Sequence, residues 1–533
     1  MPRLNLRRDG WLIAALLAAL PAVPAPAPAD APLPDIATQT RQFSEAVASS
    51  MRLDPRSPGT LNGRLDFASF LAQTNDGDCD ARLNDAQQQF DQVAAMPATE
   101  ITLPFGPAQL AKVEYQIHHR RATCSKDPQL REDELHLALE AARRAVGLYR
   151  EALDYRAMAV MQFNAAALLL ELGQAGGATA ELQTAIALDR EFGFEADARD
   201  NYARLIAWTH DPAGAARAAQ LMSDFPRRRV TLVFGWSAVD VSTTIDVEHA
   251  AVIGGGVVRS RHSVSAARQM REHGSAWTLS AVSDKGTPAV DPTASAAALQ
   301  WQLITLFGRA HPQSPTIEVS RSGEYRYALD LEKFAAGLES DTLAQAAGLL
   351  KDTAAGVAST RLDAEIKTAL EPEVVAAKAA EQYNLETGAW IGATLEQGVW
   401  YEMPALLSMP GTPDGVIHHV LKFAYTRPIP CTDDSVSASC AEIVVWATPE
   451  PEALNAALLN ATRKMKLPPG RKVTYASSTY LRLVTDPATL LARESDIRRY
   501  SYMTIGDTSP EHVLAEYERA RSRSSYRPAA QAH

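Results

Sequence analysis

The sequence predicts an α+β protein: an N-terminal all-α stack of helical hairpins, then an antiparallel β-sheet region covered by helices. Three observations predict it. Apolar residues recur at spacings of three and four through residues 38–226, the signature of helices with one buried face. After the basic step Arg227-Arg228-Arg229 the period changes to two. Beyond it, alternating runs are separated by helical stretches, the order expected of a sheet covered on one side. With 533 residues, 46% hydrophobic and 22% charged, the chain can bury several cores, which excludes global disorder.

Arg3, Arg7 and Arg8 precede a ten-residue apolar run from Trp11 to Leu20, and Ala27-Pro28-Ala29 follows before Asp30. That is the form of a cleaved secretory signal peptide over residues 1–29. The run is too short for a bilayer, which needs about 20 residues. A lipid-anchoring Cys directly after it is absent, since the first Cys is Cys79. A soluble periplasmic or secreted protein of the bacterial envelope is expected. Residues 30–37 continue a stretch of prolines among alanines that cannot pack a core and reads as a linker.

The helical domain is assigned to 38–226, with one short strand expected at 101–103. Within it, a helix ends at Leu172-Gly173, turns, and restarts with Ala178, Leu182 and Ala185 on one face. Small residues there let two helices approach closely, and the glycine supplies the turn. Gly173, Ala178, Leu182 and Ala185 stand in the register of a tetratricopeptide repeat, and residues 129–226 resemble that family, with two looser copies beside this one. The resemblance implies a stack of helical hairpins with a concave surface that binds a protein or peptide.

From 227 to 330 a first β-rich region is expected. Val230, Leu232, Phe234 and Trp236 alternate, then Thr243, Ile245 and Val247, then Trp277, Leu279 and Ala281, and Tyr325, Tyr327 and Leu329 resume after a helical patch at 293–309. Gly254-Gly255-Gly256 reads as a bulge or a close backbone crossing within a strand. Connecting helices fill 331–388, broken at Pro372. A second β-rich region spans 389–520: Leu395 to Met403, Ile417 to Tyr425, Ile443 with Val445, Val473 to Leu483, and a strand near 499–505. It closes with a C-terminal helix capped by Ser509-Pro510-Glu511. The Arg-rich remainder, 521–533, reads as a disordered tail. The two β-rich regions share a layout without aligning residue by residue.

Four cysteines in an exported chain suggest pairing, and they allow three connectivities. Cys79 opens one helical pattern and Cys124 closes another of near-equal length, so an antiparallel hairpin brings their sulfurs to one end. Cys431 and Cys440 would staple the loop between two strands. Neither pair has zinc-type spacing.

Searches for chemistry return little, and no catalytic, metal or cofactor site is expected. Gly235-Trp236-Ser237 lacks the second glycine of a nucleophile elbow. Arg259 stands where a dinucleotide motif needs glycine. His418 and His419 on a strand point to opposite faces, and His118 and His119 diverge on a helix. Asp433-Asp434 reads as solvated, and Glu450 and Glu452 as the acidic start of a helix. A net charge of −11, or −13 once three arginines and one aspartate leave with residues 1–29, disfavours nucleic acid. Trp390, Trp400, Tyr401 and Trp446 crowd the last sheet. Trp400 and Trp446 on one face could floor a groove for an apolar or sugar ligand. The expected function is a non-enzymatic envelope protein that binds a protein or peptide through its helical stack. The alternatives are a carrier or sensor using the C-terminal sheet, and an exported hydrolase with a scattered site.

Overall fold

Side chains able to cap helices stand at the starts of the first helices, and their placement sets the architecture of the N-terminal unit. The computed structural model describes residues 35–528 apart from 75–77, 97–98, 210–215, 217–219, 221, 227, 254–255, 287–314, 352–366, 368–369, 409–415, 433, 465–471 and 507–512. The leader, the patch at 293–309 and Ser509-Pro510-Glu511 therefore lie outside the described residues. Two compact units meet at Arg228/Arg229.

The helical unit comprises α1 (Ile36–Leu53), α2 (Pro58–Gln73), α3 (Cys79–Ala94), α4 (Thr99–Thr102), α5 (Gly106–Cys124), α6 (Pro128–Ala152), α7 (Tyr155–Glu171), α8 (Ala175–Phe192) and α9 (Glu195–Thr209). Asp35, Ser57, Asp78, Asp127 and Asp154 cap α1, α2, α3, α6 and α7 by accepting backbone N–H bonds. From α5 onward each helix packs on the next, compatible with helical hairpins. Gly173 takes the left-handed turn between α7 and α8 (φ +73°), and Ala178, Leu182 and Ala185 are fully buried beneath it. His118 and His119 belong to these helix contacts. His118 Nδ1 lies 2.6 Å from Glu134 Oε2 on α6, and His119 Nε2 lies 2.9 Å from Glu171 Oε1 on α7.

The strand expected at 101–103 is instead the single helical turn α4. Ile101 and Leu103 are buried there, and an isolated strand would leave its backbone groups unpaired whereas a helical turn bonds locally.

Asp189 on α8 is almost fully buried and accepts a 2.8 Å hydrogen bond from Asn201 Nδ2 on α9. Burial raises its pKa to about 7, opposed by the Asn201 bond and reinforced by Asp197. A carboxyl whose folded pKa lies above its unfolded value favours folding when protonated. This contribution is complete below about pH 4 and is lost as pH rises through about 7. Asp189→Asn is expected to stabilise the helical unit by about 2 kcal/mol at about pH 8 and by little at about pH 4. Urea unfolding of both proteins at the two pH values, followed by helical circular dichroism, checks this; equal gains at both would refute it.

The β unit carries β1 (Arg229–Thr231), β2 (Val239–Ile253), β3 (Gly256–His273), β4 (Ala276–Gly286), β5 (Ile317–Ser320), β6 (Tyr325–Ala328), α10 (Leu331–Lys351), α11 (Pro372–Glu386), a 3-10 turn (Gly388–Trp390), β7 (Thr394–Glu396), β8 (Trp400–Ser408), β9 (Val416–Pro430), β10 (Ser439–Pro449), α12 (Pro451–Lys464), β11 (Lys472–Thr485), β12 (Ala492–Gly506) and β13 (Val513–Pro528). β1 pairs with β7. The other eleven strands form one antiparallel sheet in the order β6-β5-β4-β3-β2-β13-β12-β11-β10-β9-β8. Both β-rich stretches of sequence thus enter a single sheet, joined where β2 pairs with β13.

β13 corrects the expected C-terminal helix and disordered tail. Residues 513–528 form a central strand, paired with β12 over Val513–Arg523 and with β2 over Leu514–Pro528. Its Arg519 is a cross-strand partner of Asp496 on β12, at 2.6 Å, and Arg498 on β12 pairs with the same carboxylate at 3.0 Å. Arg519 is thus neutralised by a neighbour distant in sequence, while Arg521, Arg523 and Arg527 are exposed.

Two further expectations shift. The strand expected to run through the glycines reverses instead, because Ile253 pairs with Gly256; Gly-Gly is a hairpin signal as well as a bulge signal. Of the alternating run from Val230 to Trp236, only β1 is strand.

One sheet face, here the inner face, carries Leu421, Phe423, Ile443, Val445, Leu481, Leu483 and Ile497 in one core with Leu385 and the fully buried Trp390. α11, the 3-10 turn and α12 pack on this face. Gly235 runs so close to the β11–β12 turn that a Cβ there would lie 2.6 Å from the Ala488 carbonyl oxygen. That close approach accounts for the glycine beside Trp236.

Candidate functional site

Two features of the β unit could receive a ligand, one on each face of the sheet. The outer one contains the tryptophans singled out from sequence. Alternation places Trp400 and Trp446 on the face opposite the core, and their rings meet at 5.1 Å. They reach across β9, where the small Ala424 sits opposite both Trp400 and Val444 and leaves room. The row continues through Tyr480 (5.9 Å from Trp446), Tyr500 (5.9 Å from Tyr480) and Tyr517 (5.0 Å from Tyr500), all half-buried. Trp390 and Tyr401 are not part of it. They face inward, Trp390 edge-on to Phe423 and Tyr401 stacked on it.

The inner feature is a cavity of about 90 Å³ beneath the junction of β2 and β13. Val241, Thr243 and Ile245 of β2, Arg268 and Met270 of β3, and Ser522, Ser524 and Tyr526 of β13 form its floor. Gln382, Tyr383 and Glu386 of α11 form its roof, and Trp236, Leu490 and Leu491 close one side. The pairing of β3 with β4 shifts register between Ala267 and Arg268, a bulge at the residue whose guanidinium serves the cavity.

Most polar groups of the cavity already have partners. Thr243 and Ser524 hydroxyls bond at 2.9 Å, and Ser522 and Ser495 at 2.7 Å. Tyr526 OH donates to the Ala492 carbonyl at 2.7 Å and Tyr383 OH to the Gly323 carbonyl at 2.6 Å; burial holds both phenols well above their usual range. Burial likewise raises the Glu386 carboxyl, while the positive charge of Arg268 and bonds from Gln382 and Ser495 oppose the rise. Trp236 also lines the cavity. It is nine-tenths buried and edge-on to Tyr383, and its Nε1–H meets no acceptor among the described residues. A buried donor without an acceptor is costly, of order 1–3 kcal/mol.

The wall around Tyr526 is braced from outside. Cys431 and Cys440 stand at disulfide distance (Cα–Cα 5.0 Å), as do Cys79 and Cys124 (6.4 Å). In the loop between Cys431 and Cys440, Asp434 accepts the Tyr526 backbone N–H and pairs with Arg493 at 2.7 Å, and Arg493 covers the Tyr526 ring at 4.5 Å. Asp434 is therefore a structural acceptor, whereas it reads as solvated in sequence; Asp433 lies outside the described residues. Asp486 holds the same loop by accepting from Val436 N (2.8 Å) and Ser437 Oγ (2.6 Å).

Among the described residues no cluster of three or more His, Cys, Asp or Glu could hold a metal ion, and no helix is long and apolar enough to cross a membrane. His418 is exposed and His419 is buried on the inner face, with its Nδ1 3.0 Å from the Ile417 carbonyl oxygen. No protein-family model matches the chain, and no curated protein matches it in sequence.

Of the residues the sequence singles out for ligands, Trp400 and Trp446 do come together. The cavity residues carry no local signature. Trp236, Arg268, Glu386 and Tyr526 belong to four separate segments and meet only through sheet pairing and α11.

Proposed function

We propose that this chain is an extracytoplasmic, non-enzymatic binding protein of the carrier or sensor class, and that its β unit holds a small ligand in the cavity under α11. The observation that supports this reading most directly is the cavity itself, a space of about 90 Å³ under α11 lined by both hydrocarbon and polar side chains. A ligand that binds only the folded chain stabilises it by mass action. The leader and the two cysteine pairs at disulfide distance fit export.

Native mass spectrometry of the full chain, exported with its leader and purified without denaturant, tests the reading. The wild type is expected to carry a discrete mass excess released on unfolding, and Ile245→Phe, which fills the cavity from β2, to lack it. No excess over the sequence mass in the wild type, or the same excess in both proteins, would sink it.

The tetratricopeptide-like stack carries a second reading, a protein or peptide partner. Leu130 and Leu137 stand seven residues apart on α6, hence on one face, and are 49% and 45% exposed. Cross-linking in intact cells is expected to join an envelope protein to the wild type and to lose it in a Leu130→Ser, Leu137→Ser variant. Retention of that partner would remove this surface from consideration.

A further inference from the structure

We propose that the aromatic row on the outer face of the sheet binds an uncharged oligosaccharide in extended form, its pyranose rings laid one after another across β10 to β13. This site lies on the face opposite the cavity and stands whether or not the cavity holds a ligand.

Spacing makes the first selection. From β10 to β13 each strand contributes one ring, Trp446, Tyr480, Tyr500 and Tyr517, at centroid steps of 5.9, 5.9 and 5.0 Å, and Trp400 lengthens the row by 5.1 Å. The repeat follows the strand separation of about 4.8 Å, close to the length of one pyranose ring in an extended chain. A polyproline helix turns only every 9 Å or so, about twice that step, and an extended peptide pairs with a sheet at its edge rather than across its face. Surface chemistry makes the second selection. All five rings are half-buried, so each keeps part of its surface in water, and the C–H face of a sugar gains by covering it. Thr448 and Ser478 follow Trp446 and precede Tyr480 by two positions, hence on the same face, and bring hydroxyls to the flank of the row. Charge makes the third. The charged side chains along the other flank are matched, Lys422 with Glu402 at 3.0 Å, Arg482 with Glu442 at 2.7 Å and Arg498 with Asp496 at 3.0 Å. Both signs lie side by side there, which favours a neutral polymer over an anionic one and offers planar donors and acceptors to its hydroxyls.

The test uses the full chain, with binding read by tryptophan fluorescence and by calorimetry. The probes are cellohexaose and the β-linked N-acetylglucosamine hexamer, set against cellobiose, maltohexaose, whose chain is curved, and a proline hexamer. At least one extended hexamer is expected to bind saturably and about tenfold more tightly than cellobiose, since it meets more rings. Trp446→Ala is expected to weaken that hexamer about three- to tenfold, and Ile245→Phe, which fills the inner cavity, to leave it unchanged. Should Trp446→Ala not fold, Trp400→Ala at the edge of the sheet makes the same comparison. The assignment is overturned if neither extended hexamer binds saturably, if cellobiose or maltohexaose binds as tightly, if the proline hexamer binds more tightly, or if the tryptophan variants bind like the wild type. The cavity reading is judged apart from it, by the mass excess, which Trp446→Ala is expected to retain.

Discussion

Glu442→Ala is expected to destabilise the β unit by about 3–5 kcal/mol, the cost of removing one member of a buried ion-pair cluster. Glu442 is fully buried in β10. Its carboxylate lies 2.7 Å from Arg482 Nε and 3.4 Å from Arg427 Nε, and it accepts the Thr426 hydroxyl at 2.7 Å. The Arg482 side chain is only 19% exposed, so truncation removes the closer of its two carboxylate partners, leaving Glu494 at 2.9 Å, where water solvates the cation poorly. The comparison that isolates this cause is a paired replacement. Glu442→Leu with Arg482→Met removes charge from both sides, and such apolar substitution of a buried pair is often neutral. Urea midpoints measured by far-UV circular dichroism should therefore fall steeply for Glu442→Ala and recover in the double variant. A loss under about 1 kcal/mol in the single variant would mean that water reaches the cluster.

Trp390→Ala is expected to cost a similar amount, about 3–5 kcal/mol, by a different mechanism. The side chain is completely buried beneath β9 and β10, edge-on to Phe423 at 5.2 Å. Its Nε1–H donates to the Leu385 carbonyl at 2.7 Å, at the C-terminal end of α11, where the last carbonyls have no helical partner. Truncation leaves both a cavity and an unsatisfied acceptor. Trp390→Phe keeps most of the packing and loses the donor, so it should cost about 1–3 kcal/mol. Because Glu386 follows Leu385 directly, the roof of the cavity under α11 depends on this anchor. Chemical unfolding of the three proteins checks the order wild type, Phe, Ala; a Phe variant as unstable as Ala would place the energy in the hydrogen bond rather than in packing.

The two tryptophans of this story illustrate what was legible. Trp390 and Trp400 lie ten positions apart in a segment dense with aromatics. Alternation around Trp400 and Tyr401 was enough to place them on opposite faces, because side chains of a strand alternate whatever pairs with it. The destination of each face was not. Trp390 lies in a 3-10 turn buried under the sheet, and Trp400 joins an aromatic row that crosses to β13.

Chain periodicity alone determined the helical unit and the change of period near Arg229, and favoured the local cysteine pairing among three connectivities, since each depends on neighbours close in sequence or on helices joined by short turns. It misread β13. That strand carries Arg519, Arg521 and Arg523 within a few residues; Asp496 on β12 pairs with the part-buried Arg519, while Arg521 and Arg523 point to solvent from a strand paired on both sides. Tertiary structure alone decided the single eleven-stranded sheet and the cavity at its β2–β13 junction. Strand pairing over long separations follows from the combined burial and hydrogen bonding of all the strands, and no local pattern encodes which distant edges meet.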